Sequence, residues 1–108
     1  MAVEQLDFVL RHLRQLAGEA LTDGQLLDLF LKHHDEGAFT TLLRRHGPMV
    51  LGVCRRILGN GPDAEDAFQA TFLVLVRRAR SLDRRGSLAA WLYGVAHIAG
   101  ETAKGRCP

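Results

Sequence analysis

Apolar positions recur every three or four residues along most of the chain, the period of amphipathic helices. Over residues 2–18, Leu6, Val9 or Leu10, Leu13 and Ala17 share one face, which predicts a helix ending near Gly18. Thr22 and Gln25 stand before the run Leu26-Leu27-Asp28-Leu29-Phe30 in a capping-box pattern, which predicts a second helix to about His33. Asp35-Glu36-Gly37 opens a third, with Phe39, Leu42 and Leu43 inside it. Gly47-Pro48 is expected to interrupt or kink that helix. A further helical stretch carries Val50, Leu51, Val53, Cys54, Ile57 and Leu58 and stops at Gly59-Asn60-Gly61.

The next helix, over residues 62–80, has the most distinctive pattern. Pro62 lies in its first turn, followed by Asp63, Glu65 and Asp66, whose charges suit a helix N-terminus. Arg77, Arg78 and Arg80 suit the opposite end of the dipole. Phe68, Phe72, Leu75 and Ala79 share one face, and Asp63, Asp66 and Gln69 share another. A polar basic turn follows over residues 81–86, and Ser87 is placed to cap a last helix running to about Lys104. Its apolar face holds Leu88, Trp91, Leu92, Val95 and Ala99, while Tyr93, His97, Glu101 and Lys104 lie on a different face. No segment has the alternation of a strand. The pattern therefore predicts an all-α fold, a compact helical bundle of five or six helices with short loops. It divides into an N-terminal amphipathic helix (1–20), a helical domain (21–104) and a tail (105–108).

Composition agrees. The 108 residues suffice for one domain, and a 47% hydrophobic share with only 6% aromatics makes a core of Leu, Val and Ala. The net charge of +2 hides an asymmetry. Residues 1–76 carry seven cations and ten anions, hence −3, and residues 77–108 carry seven cations and two anions, hence +5. An acidic front and a basic back suit two partners of opposite sign, or a solvated surface with scattered charge. Cys54, on an apolar stripe, is expected to be a buried thiol, and Cys107 sits in the tail. The pair makes no metal site or disulfide framework, which fits a reducing cytoplasm. Glu4, Asp7, Arg11 and Arg14 exclude a signal peptide or membrane span at the N-terminus.

No catalytic set is visible, and no cofactor or metal is expected. The five histidines are scattered. His33-His34 beside Asp35-Glu36 is better explained as a solvated helix end than as a metal site, because adjacent helical residues point apart. Asp63, Glu65 and Asp66 are better explained by the helix dipole than by acid–base chemistry. Two surfaces remain. The Asp63/Asp66/Gln69 face could accept charge-assisted hydrogen bonds from an Arg-rich helix. Arg84, Arg85 and Ser87, at the start of the last helix, offer cations and backbone N–H groups to phosphate. Trp91 could stack on a base, although its apolar neighbours favour a core role.

Three motifs in order, DEGAFTTLLRRHGPMVLGVCRRILGN, GPDAEDAFQATFLVLVRRA and SLAAWLYGVAH, resemble region 2 of sigma-70 family RNA polymerase sigma factors. The likeness covers about residues 26–97 and is nearest to the extracytoplasmic-function (ECF) class, in the form abundant in planctomycetes. The D-x-x-D-x-x-Q-x-x-F pattern is met by Asp63, Asp66, Gln69 and Phe72. The resemblance implies a non-enzymatic role in transcription initiation. The helix from residue 62 would dock on the clamp coiled coil of the largest catalytic subunit of RNA polymerase core, through Asp63, Asp66 and Gln69. Arg84, Arg85 and Ser87, with Tyr93, His97 and Lys104 on the helix beyond, would contact the promoter −10 element. There the family captures an unstacked base of the non-template strand and helps to melt the duplex. An anti-sigma factor is a further expected partner, and a membrane is not.

The sequence departs from the family at several points. Ala70 stands where many members have Glu. Ile98 stands where Asn or Arg is common, and Glu101 adds a negative charge beside the expected DNA surface. Gly94, Gly100 and Gly105 each lower helix propensity by about 1 kcal/mol relative to Ala, so the last helix is expected to be weakened at its end. A second helix-turn-helix domain for the −35 element is expected to be absent, which would make the chain a truncated product or a free-standing region 2 domain. The alternative is a non-DNA-binding interaction module that binds polymerase or an anti-sigma partner.

Overall fold

The computed structural model describes residues 21–83 and 85–106. The helix expected over residues 2–18 lies outside the described residues. Four α-helices are present among those described: α1 (Asp23–His33), α2 (Glu36–Leu58), α3 (Pro62–Arg78) and α4 (Leu88–Arg106). A 3-10 turn, Ala79–Ser81, extends α3, and no strand occurs among the described residues. The chain falls into two compact units divided between Arg45 and His46.

In the first unit, α1 starts at the expected capping box. Thr22 Oγ1 accepts from the Gln25 N–H at 3.1 Å, and Gln25 Oε1 accepts from the Thr22 N–H at 2.9 Å. Such a cap is worth about 1 kcal/mol, because it satisfies donors that the first turn leaves unpaired. The helix ends where His34 adopts the left-handed conformation, φ 50°. Asp35 then caps α2, its Oδ1 accepting from the Ala38 N–H at 3.1 Å. Leu26, Leu27, Ala38 and Leu42 are buried. The Phe30 and Phe39 rings stack with centroids 4.9 Å apart, and Arg45 bonds Asp23 at 3.1 Å.

Of the two expectations at Gly47-Pro48, an interruption or a kink, helix α2 corrects the interruption. The helix runs unbroken for 23 residues with Pro48 inside it, so two predicted helices are one, and four α-helices stand among the described residues against the five or six expected for the whole chain. Proline removes one backbone donor and crowds the preceding turn. Yet the buried stripe Leu42, His46, Val50, Val53 and Cys54 keeps the helical period across it, and Pro48 itself is exposed. Burial of one continuous face on both sides holds the helix through the proline.

In the second unit, Gly59 takes φ 82° and makes the turn that ends α2, as the breaker predicts. Helices α3 and α4 then pack against each other. Ala64, Ala67, Thr71, Phe72, Leu75 and Ala79 form the buried face of α3, and Leu88, Leu92, Ala96 and Gly100 that of α4. Buried Thr71 is satisfied, its Oγ1 donating to the Ala67 carbonyl at 2.8 Å. Ser87 caps α4 as expected, its Oγ accepting from the Ala90 N–H at 3.1 Å.

The buried face of α4 differs in phase from the expected one. Leu92 and Ala96 are its centre, whereas Trp91, Val95 and Ala99 are half-buried at its margin. Gly100, counted above only for its low helix propensity, also has a packing role. A Cβ there would meet Ile57 Cδ1 at 2.8 Å and Ile57 Cβ at 3.3 Å. Its lack of a side chain lets α4 lie close to α2, and α4 continues to Arg106.

Cys54 is fully buried, as expected. Burial pushes its thiol pKa up, only partly offset by a backbone hydrogen bond, so the protonated form that packs as a small apolar group is favoured.

Candidate functional site

The site is built outward from α3. Gly61, in extended conformation, is the residue before the helix and offers no side-chain cap; Pro62 at the start needs no hydrogen-bond partner. Asp63 and Glu65 sit in the first turn, where the unsatisfied N–H groups carry partial positive charge. Because Phe72 and Leu75 anchor the inner face, Asp63, Asp66 and Gln69 are turned to the outside, and all three are exposed. The motif thus separates by direction: its polar members face out and its aromatic member is core. Phe72 packs with the Phe68 ring at 5.1 Å.

Two residues of this face escape the sequence pattern. Leu73 is 58% exposed and Val76 39% exposed. Leu73 lies seven residues after Asp66 and four after Gln69, so the spacing that groups the polar residues also carries this leucine. Ala70 is exposed beside it, and Arg77 ends the face. From N- to C-terminus the outer face of α3 is acidic, then apolar, then basic.

The second predicted surface is the turn before α4 and the helix itself. Arg84 lies outside the described residues. Asp83 shapes the turn: its Oδ1 accepts from the Arg85 N–H at 2.9 Å, and its carbonyl accepts from the Gly86 N–H at 3.2 Å. Arg85 and Ser87 are exposed there, with the Ser87 hydroxyl already engaged as the helix cap. Along α4, Tyr93, His97 and Lys104 are exposed on one stripe, and the Tyr93 and His97 rings lie 6.5 Å apart at 30°. From Tyr93 to Lys104 the stripe runs about 16 Å. Glu101 lies on it, and Ile98, 67% exposed, is the most exposed large apolar residue described. The structure therefore brings Arg85, Ser87, Tyr93, His97 and Lys104 onto one helix and its lead-in turn. The Asp63/Asp66/Gln69 set stands on a different helix, which buries its opposite face.

Among the described residues no cluster of His, Cys, Asp and Glu could hold a metal ion, and no helix is long and apolar enough to cross a membrane. Residues 42–99 match the sigma-70 region 2 family. The chain is also 37% identical over 68 residues to the RNA polymerase sigma factor CarQ of Myxococcus xanthus, an alignment covering 63% of this chain and 39% of that protein. It thus spans about two fifths of the length of this curated relative. No solved structure matches significantly. With more than half of its residues inside the region 2 match, and with the motif of that match divided between an exposed polar face and a core aromatic, the chain belongs to the sigma-70 region 2 family, whose members are not enzymes.

Proposed function

We propose that the chain is a region 2 module of the ECF kind that docks on core RNA polymerase through the outer face of α3 and contacts the promoter −10 element through Arg84, Arg85 and Ser87 and the exposed stripe of α4. The observation that carries this is the sorting of one motif: Asp63, Asp66 and Gln69 are exposed on a single face while Phe72 is buried. Three polar groups held at fixed spacing on a rigid helix suit an Arg-rich helix of the polymerase clamp, where charge-assisted hydrogen bonds fix register. Leu73 and Val76 add apolar area next to them. Such a role places the protein in the cytoplasm, and an anti-sigma partner would compete for the same faces. In a pull-down with polymerase core, Asp66→Arg should bind at least roughly tenfold more weakly than the unsubstituted chain. Equal binding would sink the docking claim.

A second reading keeps the docking face and gives up DNA. It is favoured by Ile98, 67% exposed, and by Glu101, exposed on the same helix, since neither suits a phosphate-lined surface. Fluorescence anisotropy with a −10-like single strand at low and high salt separates the two. The first reading expects a salt-dependent, sequence-sensitive rise; a flat signal selects the interaction module.

A further inference from the structure

The outer face of α3 has an order that docking on a partner does not require. Asp66, Ala70, Leu73 and Arg77 follow one another at alternating steps of four, three and four, and all four are exposed. That spacing is the seam of a two-helix coiled coil. Asp63 and Arg80 continue the same steps at either end; Asp63 already holds an interaction within the chain. Along the seam the order is acid, small, large apolar, base. A second copy of α3 laid antiparallel presents the reverse order.

We propose that this face associates with the same face of a second copy of this chain, in an antiparallel, two-fold α3 pair. The register is fixed by the sequence. Asp66 meets the partner's Arg77, and Ala70 meets the partner's Leu73, each contact occurring twice by symmetry. The small Ala70 makes room for the large Leu73, which is 58% exposed in the single chain. Val76, 39% exposed, and Gln69 flank the seam. A parallel pair would set Asp66 against Asp66 and Arg77 against Arg77, so charge selects the antiparallel arrangement. One helix face is a small interface, of the weak and transient class, which corresponds to dissociation at roughly 10–100 µM. The pair covers Asp66 and Gln69. Where the docking reading holds, and only there, the dimer is a form that cannot engage polymerase and must dissociate first.

Sedimentation equilibrium on the 108-residue chain alone tests this, from about 5 µM to about 500 µM and at two salt concentrations. A monomer–dimer equilibrium that weakens at high salt is expected. Asp66→Arg and Arg77→Asp should each weaken it at least roughly tenfold, and the double variant Asp66→Arg/Arg77→Asp should return to within about threefold of the unsubstituted chain. Both changed positions are on the surface, and circular dichroism checks that the helices persist. A monomer throughout the range, a dimer indifferent to either reversal, or a double variant that stays monomeric overturns the proposal. Because polymerase is absent, this outcome is separate from docking: a chain that dimerises without binding polymerase refutes only the docking, and one that binds polymerase as a strict monomer refutes only the dimer.

Discussion

Gly100→Val should lower the unfolding free energy by roughly 2–3 kcal/mol, measured as a fall in the urea midpoint at unchanged slope. The ideal Cβ at this position lies 2.8 Å from Ile57 Cδ1, 3.3 Å from Ile57 Cβ and 3.4 Å from Ile57 Cγ2. The Cδ1 methyl is the tip of a side chain and can rotate away. The Cβ is fixed to the backbone of α2 and cannot. A single added methyl, in Gly100→Ala, therefore meets a clash that a gain of about 1 kcal/mol in helix propensity largely offsets. Valine adds two more carbons in the same tight space, and the helices must part. Ile57→Ala should recover a large share of the loss when combined with Gly100→Val, giving a coupling energy well above about 0.5 kcal/mol in a double-mutant cycle. A Gly100→Val chain as stable as the original would show that α4 is not held at close range by this glycine.

Phe72→Ala should cost about 3–5 kcal/mol, a large part of what a domain of this size has. The ring is 5% exposed and tilts against Phe68, whose own ring lies within 3.7 Å of where a Gly47 side chain would begin. Removing it leaves a void in the core beside Phe68. Asp66→Arg, three residues before Gln69 on the exposed face, should lower the unfolding free energy by no more than about 1 kcal/mol. The contrast is the informative result: two members of one motif, one needed for the fold and the other for contact. A loss below about 1 kcal/mol in Phe72→Ala would mean that the aromatic is not a core element.

Much of the fold and of the candidate site is legible in the residue pattern itself. Thr22 and Gln25 specify a cap that forms as written, because capping is local chemistry within four residues. The two faces of α3 follow from period alone. Other features depend on partners distant in sequence. Gly47-Pro48 has a strong local signal for a break, and burial of one stripe on both sides overrides it. Gly100 counts against a helix on propensity, and only the neighbouring Ile57 gives its absent side chain a purpose. The apolar pattern misphases α4 by about one position. Leu88, Trp91, Leu92 and Val95 look equally apolar in a single sequence, while Ala96, too small to attract notice, lies at the contact. Leu73 and Val76 are hidden for the opposite reason. In a helix rich in apolar residues, nothing intrinsic to a leucine says that it faces solvent.

Cys54 has a use that follows from its position between α2 and its neighbours. Its side chain is wholly buried and burial pushes its thiol pKa up, so an alkylating reagent in solution cannot reach the sulfur in the closed molecule. Reaction must wait for the core to open, and in the regime where closing outpaces labelling its rate reports the free energy of that opening. With Cys107 changed to serine, the chain carries its own clock for opening events, one that reads the core of residues 46–108 without an added probe.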